Sequence, residues 1–308
     1  MSSSFKSRIY YHVLKRRLAK FRALNLPLTK ARALRDRDSS RVFKMPSGIR
    51  CEAVRIAGLS GEWLRPVAAQ GSDLLMYLHG GAYVQGSINT HRALASRLAL
   101  ASASSAFIFD YRLAPEHPYP AALDDAYSIY TALRSAHLGV PIAIVGDSAG
   151  GGLALALALR IRHEALEAPV ALALLSPWTD LTLCSLTHKT KASVDPYFPD
   201  TKVLSDAARA YANGLDLKTP WMSPQFADLG GLPPTLIHVG EREALLDDSR
   251  ILAQEMAAQG SPVRLKVFAD MWHVWQVFGG LFREADESVL EIGDFLRAHL
   301  ALPPNNKV

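Results

Sequence analysis

The spacing of hydrophobic residues changes once along the chain. Over the first 44 residues apolar side chains recur every three or four positions with Lys and Arg between them, which predicts one or two amphipathic basic helices. Beyond them, short apolar runs alternate with helical patterns, which predicts crossover units around a mostly parallel, buried sheet. The predicted strands are residues 74–78, 106–110, 142–145, 170–175, 235–239 and 263–268, and the predicted helices are residues 92–100, 121–138, 152–164, 246–258 and 284–299. The sequence therefore predicts an α/β fold.

Two segments depart from this alternation. Residues 51–56 and 62–67 alternate apolar and polar positions around a turn with Gly58 and Gly61, which predicts an antiparallel hairpin at a sheet edge. Residues 177–220 are polar, and they surround one helical stretch at 202–211. We interpret them as an insertion above the sheet, in a position to shape a substrate pocket.

Charge is distributed unevenly along the chain. The chain has 34 Lys and Arg against 29 Asp and Glu, but 13 of the basic and only 2 of the acidic residues lie in the first 44 positions. We expect the apolar stripe of this basic arm to pack over the body as a cap, with adhesion to an anionic membrane surface as the alternative. No recognised nucleic-acid-binding module is present, so we expect no nucleic-acid partner.

Cysteine usage and hydropathy bear on location. Cys51 and Cys184 lie far apart and offer no framework for disulfides or for a metal site, which favours a reducing compartment. The arm lacks the apolar core of a signal peptide, and apolar runs such as 168–175 are far shorter than a membrane span. We therefore expect a cytoplasmic protein with one large domain.

Residues 142–159 have the context of a nucleophile elbow. An apolar run leads into Gly146-Asp147-Ser148-Ala149-Gly150, and a long Ala/Leu helix pattern follows. A sharp turn between a strand and a helix lifts a serine oxygen clear of the sheet, and it leaves no room for side chains at the flanking glycines. We expect Ser148 to be a nucleophile.

A serine nucleophile needs donors for the oxyanion that it creates. The loop at residues 77–83 follows a predicted strand, and its His-Gly-Gly-Ala sequence is of the type that supplies backbone N–H groups to an oxyanion hole. Gly80, Gly81 and Ala82 are the candidates from this loop, and Ala149 is the candidate directly after the nucleophile. Gly81 and Ala149 are the leading pair.

The serine also needs a base and an acid that orients it. His273 follows the last predicted strand and precedes the last helix, which makes it the best candidate among the 10 histidines. Three of the carboxylates that follow the preceding strand are the candidates for the acid. Glu243 is the nearest of the three to that strand's end, whereas Asp247 and Asp248 are typical of the first turn of a helix. We favour Glu243 and keep Asp247 as the alternative.

Several motifs together resemble the hormone-sensitive-lipase-like family of bacterial esterases, also called family IV. They are His79-Gly80-Gly81, the segments 110–116 and 118–122, the elbow at 146–151 and Ser176-Pro177-Trp178. The resemblance extends from about residue 70 to the C-terminal end. It implies an α/β-hydrolase fold with a mostly parallel, eight-stranded sheet, a helical cap, and ester hydrolysis without cofactor or metal. Glutamate at the acid position resembles a subset near monoterpene ε-lactone hydrolases.

The resemblance also implies a domain plan. Residues 1–45 would form a cap region, residues 46–303 a catalytic domain with a cap insertion at about 180–220, and residues 304–308 a tail. Pairing of two chains through the last edge strand is a further expectation from the family. We expect Asp147 and the segment 110–112 to support the elbow and the oxyanion loop rather than to react.

The expected function is a serine carboxylesterase that hydrolyses short to medium acyl esters through an acyl-enzyme, with Ser148, Glu243 and His273 as its triad. Tyr83, Trp178 and Trp272 are expected near the pocket, where their bulk argues against a wide lipid-binding groove. Lactone hydrolysis by the same triad is one alternative. A non-catalytic protein that binds small molecules on the same fold is the other.

Overall fold

The structure is a computed structural model that describes residues 3–68 and 73–301, so the predicted tail at 304–308 lies outside the described residues. The described residues form an eight-stranded sheet. Its strands are β1 (Ile49–Ile56), β2 (Leu59–Pro66), β3 (Leu74–Leu78), β4 (Ser105–Phe109), β5 (Ile142–Asp147), β6 (Ala171–Leu175), β7 (Thr235–Gly240) and β8 (Val263–Phe268). The helices are α1 (Phe5–Ala23), α2 (Leu28–Val42), α3 (Ile88–Ser102), α4 (Ala121–Ala136), α5 (Ala149–His163), α6 (Leu186–Thr190), α7 (Lys202–Ala212), α8 (Leu246–Ala258) and α9 (Arg283–Leu300).

The strand order is β1-β2-β4-β3-β5-β6-β7-β8. β1 and β2 form an antiparallel hairpin at one edge, β2 pairs antiparallel with β4, and every later pair is parallel. The predicted α/β architecture with an antiparallel edge hairpin is therefore confirmed.

The central strands β3 to β7 are buried at every position because helices cover both faces of the sheet. Alternate residues of β3 point to opposite faces, so Met76 belongs to the core beneath α4, α5 and α8, and Leu75 belongs to the core beneath α3 and α9. This buried sheet holds the ends of β3, β5, β7 and β8 in fixed relative positions. The predicted site residues follow those ends.

The helices α3 and α5 begin at least three residues earlier than the pattern predicts. The first turn of α3 is fixed by a capping box between Ser87 and Thr90, which extends the helix toward its N-terminus. α5 begins at Ala149 and includes Gly150, although glycine is a poor helix former, because close packing against the loop after β3 requires residues without side chains here. The insertion carries α6 as well as the predicted helix, α7.

The basic arm forms the two helices α1 and α2. Tyr11 of α1 is buried, packs against Trp272 with ring centroids 5.9 Å apart, and donates a hydrogen bond to the Val194 carbonyl oxygen over 2.8 Å. Arg32 of α2 donates to the carbonyl oxygen of Val84 over 2.7 Å. The arm thus contacts both the insertion and the loop after β3. Within the described ranges, none of the helices combines the length and apolar character that crossing a membrane requires.

Candidate active site

Ser148 lies in the sharp turn between β5 and α5. Its backbone has φ of 54° and ψ of −123°, a conformation that non-glycine residues rarely adopt and that is typical of a nucleophile elbow. A Cβ on Gly146 would lie 2.1 Å from the carbonyl oxygen of Gly150, and a Cβ on Gly150 would lie 2.1 Å from that of Leu78. The turn therefore requires glycine at both positions.

The structure brings Ser148, His273 and Glu243 together in one chain of hydrogen bonds. His273 Nε2 lies 2.9 Å from Ser148 Oγ, and His273 Nδ1 lies 2.9 Å from Glu243 Oε2. All three side chains are buried. In this arrangement the ring can accept a proton from the serine while its other nitrogen donates to the carboxylate.

Glu243 reaches His273 from the segment that precedes the first turn of α8. Its Oε1 accepts a hydrogen bond from Ser176 Oγ over 2.8 Å and another from the backbone N–H of Gly240. Asp247 lies one turn further on, where its Oδ2 accepts from the backbone N–H of Thr187 over 3.1 Å. Asp247 is thus engaged with the insertion and not with the histidine.

Asp248 belongs to a separate buried pair. Its Oδ1 lies 2.6 Å from His188 Nε2, and its Oδ2 accepts from the backbone N–H of Thr179 over 3.0 Å. These contacts fasten the insertion to α8 and leave Glu243 as the carboxylate that reaches His273.

The electrostatics suit a histidine that is hydrogen-bonded to a carboxylate. Burial disfavours the charged imidazolium, but the hydrogen bond and the negative charge of Glu243 outweigh it and raise the pKa of His273 above its ordinary value of 6.5. The ring therefore binds a proton more readily than a free histidine.

A second carboxylate, Asp195, lies close to the histidine. Burial raises the pKa of Asp195 to about 6. Its oxygens accept hydrogen bonds from the backbone N–H groups of Ala244 and Tyr197, each over 2.8 Å. Asp195 thereby holds the insertion loop against the residue that follows Glu243.

The loop after β3 supplies fewer free donors than the sequence predicts. The backbone N–H of Gly80 donates to Asp147 Oδ1 over 3.0 Å, so Gly80 is not available as an oxyanion donor and that assignment is corrected. Within the described ranges, the N–H groups of Gly81 and Ala82 have no acceptor. Ala149 is the first residue of α5, so its N–H has no intrahelical acceptor and lies at the positive end of the helix dipole.

Asp147 connects the elbow to the loop after β3. Besides Gly80, its carboxylate accepts a hydrogen bond from Tyr77 Oη over 2.7 Å and lies 3.2 Å from His91 Nε2. Burial would raise the pKa of Asp147, but the charge and hydrogen bond of His91 lower it below its ordinary value. The network holds the loop against the turn that carries Ser148.

The residues of the segment 110–112 each contact a different neighbouring element. Asp110 Oδ1 accepts from the backbone N–H of Ile88, and Arg112 forms an ion pair with Asp125. Tyr111 donates from Oη to the carbonyl oxygen of His79 over 2.7 Å. None of these groups reaches the serine.

A cavity of about 180 Å³ opens beside Ser148 and His273. Two aromatic residues of the insertion lie against the histidine, with ring centroids 4.9 Å away for Phe198 and 5.7 Å away for Tyr197. The wall is completed mainly by small and apolar residues, among them Gly81, Ala82, Val203, Ala207, Val274 and Val277.

The aromatic residues predicted to narrow the pocket lie elsewhere. Tyr83, Trp178 and Trp272 are fully buried, and none of them lines the cavity. Tyr83 stacks on Tyr211 with ring centroids 3.9 Å apart, and Trp178 Nε1 donates to the Asp180 carbonyl oxygen over 3.0 Å. Large apolar side chains gain more by burial in the core than by facing an open cavity, which corrects the prediction.

Three functional candidates escaped the sequence reasoning. Ser176 lies in a motif used for the resemblance, yet nothing local indicates that its hydroxyl reaches Glu243. Phe198 lies in the polar insertion, where one aromatic residue carries no signal of its position. Arg35, from the basic arm, lines the same cavity as Ser148. Its place there could not be predicted because it depends on how the arm packs over the body.

Esterases and related hydrolases resemble this chain over most of its length. A family model described as alpha/beta hydrolase fold matches residues 75–277. An esterase from Acinetobacter venetianus is 36% identical and covers 83% of this chain and 84% of its own length. An acetyl-hydrolase from Streptomyces hygroscopicus is 38% identical, over 80% of this chain and 82% of its own. The crystal structure of an esterase from the bacterial hormone-sensitive lipase family aligns with a TM-score of 0.91 at 34% identity and covers 98% of this chain and 100% of that chain.

Proposed function

The chain belongs to the hormone-sensitive lipase family of α/β-hydrolase-fold proteins and is a carboxylesterase, and we propose that Ser148, His273 and Glu243 form its catalytic triad. The observation that carries the proposal is the continuous hydrogen-bond chain from Ser148 Oγ through His273 to Glu243 Oε2. Its serine end borders the cavity.

In the first half of the reaction Ser148 Oγ attacks the ester carbonyl carbon while His273 Nε2 takes the serine proton. The carbonyl π electrons move to oxygen and form a tetrahedral oxyanion. Collapse of that species breaks the bond to the leaving alcohol, which receives the proton from His273. Glu243 keeps Nδ1 protonated throughout, so that Nε2 is the nitrogen that accepts the proton.

In the second half a water molecule takes the place of the alcohol. His273 removes one of its protons, the resulting hydroxide adds to the acyl-enzyme carbonyl, and the second tetrahedral species releases the carboxylic acid. The proton returns to Ser148 Oγ. No other reactant is required.

Donors to the two oxyanions come from Gly81, Ala82 and Ala149 in this proposal. Gly81 and Ala82 border the cavity beside Ser148, and Ala149 places the N-terminus of α5 directly after the nucleophile. Backbone donors that are fixed before the reaction stabilise the developing charge without reorganisation. Gly80 supports them indirectly, through its hydrogen bond to Asp147.

We propose short to medium acyl esters as the substrate class. A cavity of about 180 Å³ next to Phe198 leaves limited room for the acyl chain. The acetyl-hydrolase among the relatives acts, by its name, on the shortest of these acyl groups. A lactone would react with the same three side chains, so it belongs in the test.

The test is a series of 4-nitrophenyl esters from acetyl to palmitoyl, with ε-caprolactone beside them. We expect the highest kcat/KM at short or medium chains, and loss of nearly all turnover in Ser148→Ala and His273→Ala. Ser135→Ala removes an exposed hydroxyl from α4 and is the matched control. Near-normal turnover by His273→Ala would contradict the triad, and turnover confined to the lactone would change the substrate class.

Pairing of two chains, membrane contact of the basic arm and a cytoplasmic location remain predictions. β8 is the last strand of the sheet, and an edge strand offers unpaired backbone groups to a second copy. Light scattering after gel filtration tests that pairing. Co-sedimentation with anionic vesicles tests the alternative use of the basic arm, and cell fractionation tests the predicted cytoplasmic location.

A further inference from the structure

Arg35 lies in α2 on a wall shared by two cavities. One is the catalytic cavity beside Ser148, and the other is a cavity of about 240 Å³ between α1 and α2 that is lined mainly by apolar side chains. Phe43 and Tyr197 also border both cavities. A substrate that extends from Ser148 toward the arm therefore approaches the guanidinium of Arg35.

The guanidinium has no polar partner in the described part of the chain. Its Nε is buried without an acceptor, and its Cζ lies 4.7 Å from the centroid of the Phe21 ring. Stacking on a ring covers the face of a guanidinium and leaves its N–H edge free for a planar acceptor. Burial lowers the pKa of Arg35, as expected for a cation removed from water without a compensating charge.

The carboxylates near Arg35 on the arm are engaged elsewhere. Asp38, which borders the outer cavity, lies 3.3 Å from Arg17, and Asp36 accepts a hydrogen bond from Ser87 Oγ over 2.7 Å. The first 44 residues carry 13 basic against 2 acidic side chains, so the field of the arm attracts an anion. An unpaired, half-buried cation in such a field favours a negatively charged ligand.

We infer that Arg35 is a specificity-determining residue that binds a carboxylate on the end of the substrate remote from the reacting ester. The enzyme then prefers esters that carry a free carboxylate, such as half-esters of dicarboxylic acids, to neutral esters of the same length. This inference rests on the proposed catalytic role of Ser148, since it places the ester carbonyl at that serine.

A carboxylate fits Arg35 better than a neutral acceptor for two reasons. The guanidinium edge presents paired N–H groups whose spacing matches the two oxygens of a carboxylate. A charge-assisted pair also offsets the unfavourable burial of an isolated cation. A neutral hydroxyl or carbonyl acceptor offsets less of it, because its hydrogen bond to the guanidinium is weaker.

The test compares charged and neutral esters of equal length by pH-stat titration. One arm pairs monoethyl glutarate with ethyl pentanoate and monoethyl adipate with ethyl hexanoate, so that the charge is on the acyl side. The other pairs 4-(butyryloxy)benzoate with its methyl ester, so that the charge is on the alcohol side. In at least one arm we expect Arg35→Met to lower the charged-to-neutral ratio of kcat/KM by about tenfold or more, mainly through KM.

Two variants separate this role from bulk charge and from structure. Arg37→Gln removes a positive charge from the same helix at a side chain that is 59% exposed and lies outside both cavity walls, and it should leave the ratio unchanged. Arg35→Lys keeps the charge without the planar fork and should restore part of the preference. A ratio in Arg35→Met within twofold of the parent in both arms, or an equal fall in Arg37→Gln, would overturn the inference.

Binding without turnover gives a second readout. In the Ser148→Ala background, calorimetry should detect monoethyl glutarate or 4-(butyryloxy)benzoate, and the further change Arg35→Met should weaken that binding by about tenfold or more. Equal binding by the two proteins would refute the role of Arg35. Absence of Ser148-dependent hydrolysis on every ester would instead refute the proposed catalytic function, so the two failures are distinguishable.

Discussion

Ser176 donates a hydrogen bond from Oγ to Glu243 Oε1 over 2.8 Å. Ser176 Oγ also accepts a hydrogen bond from the backbone N–H of Val274, the residue after His273, over 3.2 Å. One hydroxyl at the end of β6 therefore contacts both the loop that carries Glu243 and the loop that carries His273. It fixes the distance between two residues that approach from separate strands.

We predict that Ser176→Ala reduces kcat by about tenfold or more while KM changes little. The substitution removes a hydrogen bond to a buried charged group, an interaction that contributes about 1.5–3 kcal/mol. Steady-state kinetics on a short 4-nitrophenyl ester measure the effect, with Ser135→Ala as the control. A kcat equal to that of the control would show that Glu243 keeps its position without Ser176.

Substitutions of Glu243 and Asp247 should have very different effects on kcat. Glu243→Gln keeps the shape of the side chain but cannot stabilise an imidazolium, so kcat should fall by about three to four orders of magnitude. Asp247→Asn should remain within about threefold of the parent, because Asp247 contacts Thr187 and Arg250 rather than the histidine. A large loss in Asp247→Asn together with a small loss in Glu243→Gln would reverse the assignment.

The raised pKa of His273 predicts how activity depends on pH. The base must be neutral to accept the serine proton, so kcat/KM should rise with pH along a limb whose midpoint lies above 6.5. The contribution of His273 to stability changes with pH in the opposite direction. A raised folded-state pKa means that protonated His273 stabilises the fold below pH 6.5, and that this contribution is lost as pH rises through the folded pKa.

A pH profile of kcat/KM between about pH 5 and 9 measures this limb. In Glu243→Gln the limb should move to lower pH, because the carboxylate that raises the pKa of His273 is gone while its burial remains. A limb at the same pH in both proteins would show that another group controls it.

The local part of the site could be predicted from the sequence. The elbow around Ser148 can be recognised locally because a turn of that sharpness excludes side chains from Gly146 and Gly150, and each glycine lies only two positions from the serine. The order of strands and helices places His273 at the end of the last strand. Topology then brings the two together without any further local signal.

The remaining assignments depend on contacts that no local pattern carries. Gly80 resembles an oxyanion donor in sequence, but its N–H is taken by Asp147, which lies 67 positions away. Tyr83 follows the loop closely, yet its ring turns into the core. Arg35 reaches the cavity only because the arm packs back over the body. Each outcome is decided by tertiary packing among distant segments.

Phe198 should set the limit on the acyl chain. It borders the cavity and lies 4.9 Å from the His273 ring, so Phe198→Ala enlarges the space beside the reacting atoms. We expect the preferred 4-nitrophenyl ester to shift toward longer chains, with a lower rate on the acetyl ester because the small substrate is held less closely. Phe226→Ala, at a side chain 40% exposed and outside the cavity wall, is the control. An unchanged chain-length profile would place the limit elsewhere.

Asp147 should contribute strongly to the free energy of unfolding. Its buried carboxylate accepts hydrogen bonds from Tyr77 and Gly80 and lies beside His91. Asp147→Ala leaves those donors buried without an acceptor, and removal of one partner from such a network lowers the free energy of unfolding by about 3–5 kcal/mol. Asp147→Asn keeps one oxygen acceptor and should fall between the parent and the alanine variant. Urea unfolding measures the series, Asp228→Ala at an exposed side chain is the control, and a change below about 1 kcal/mol in Asp147→Ala would contradict the role of this network.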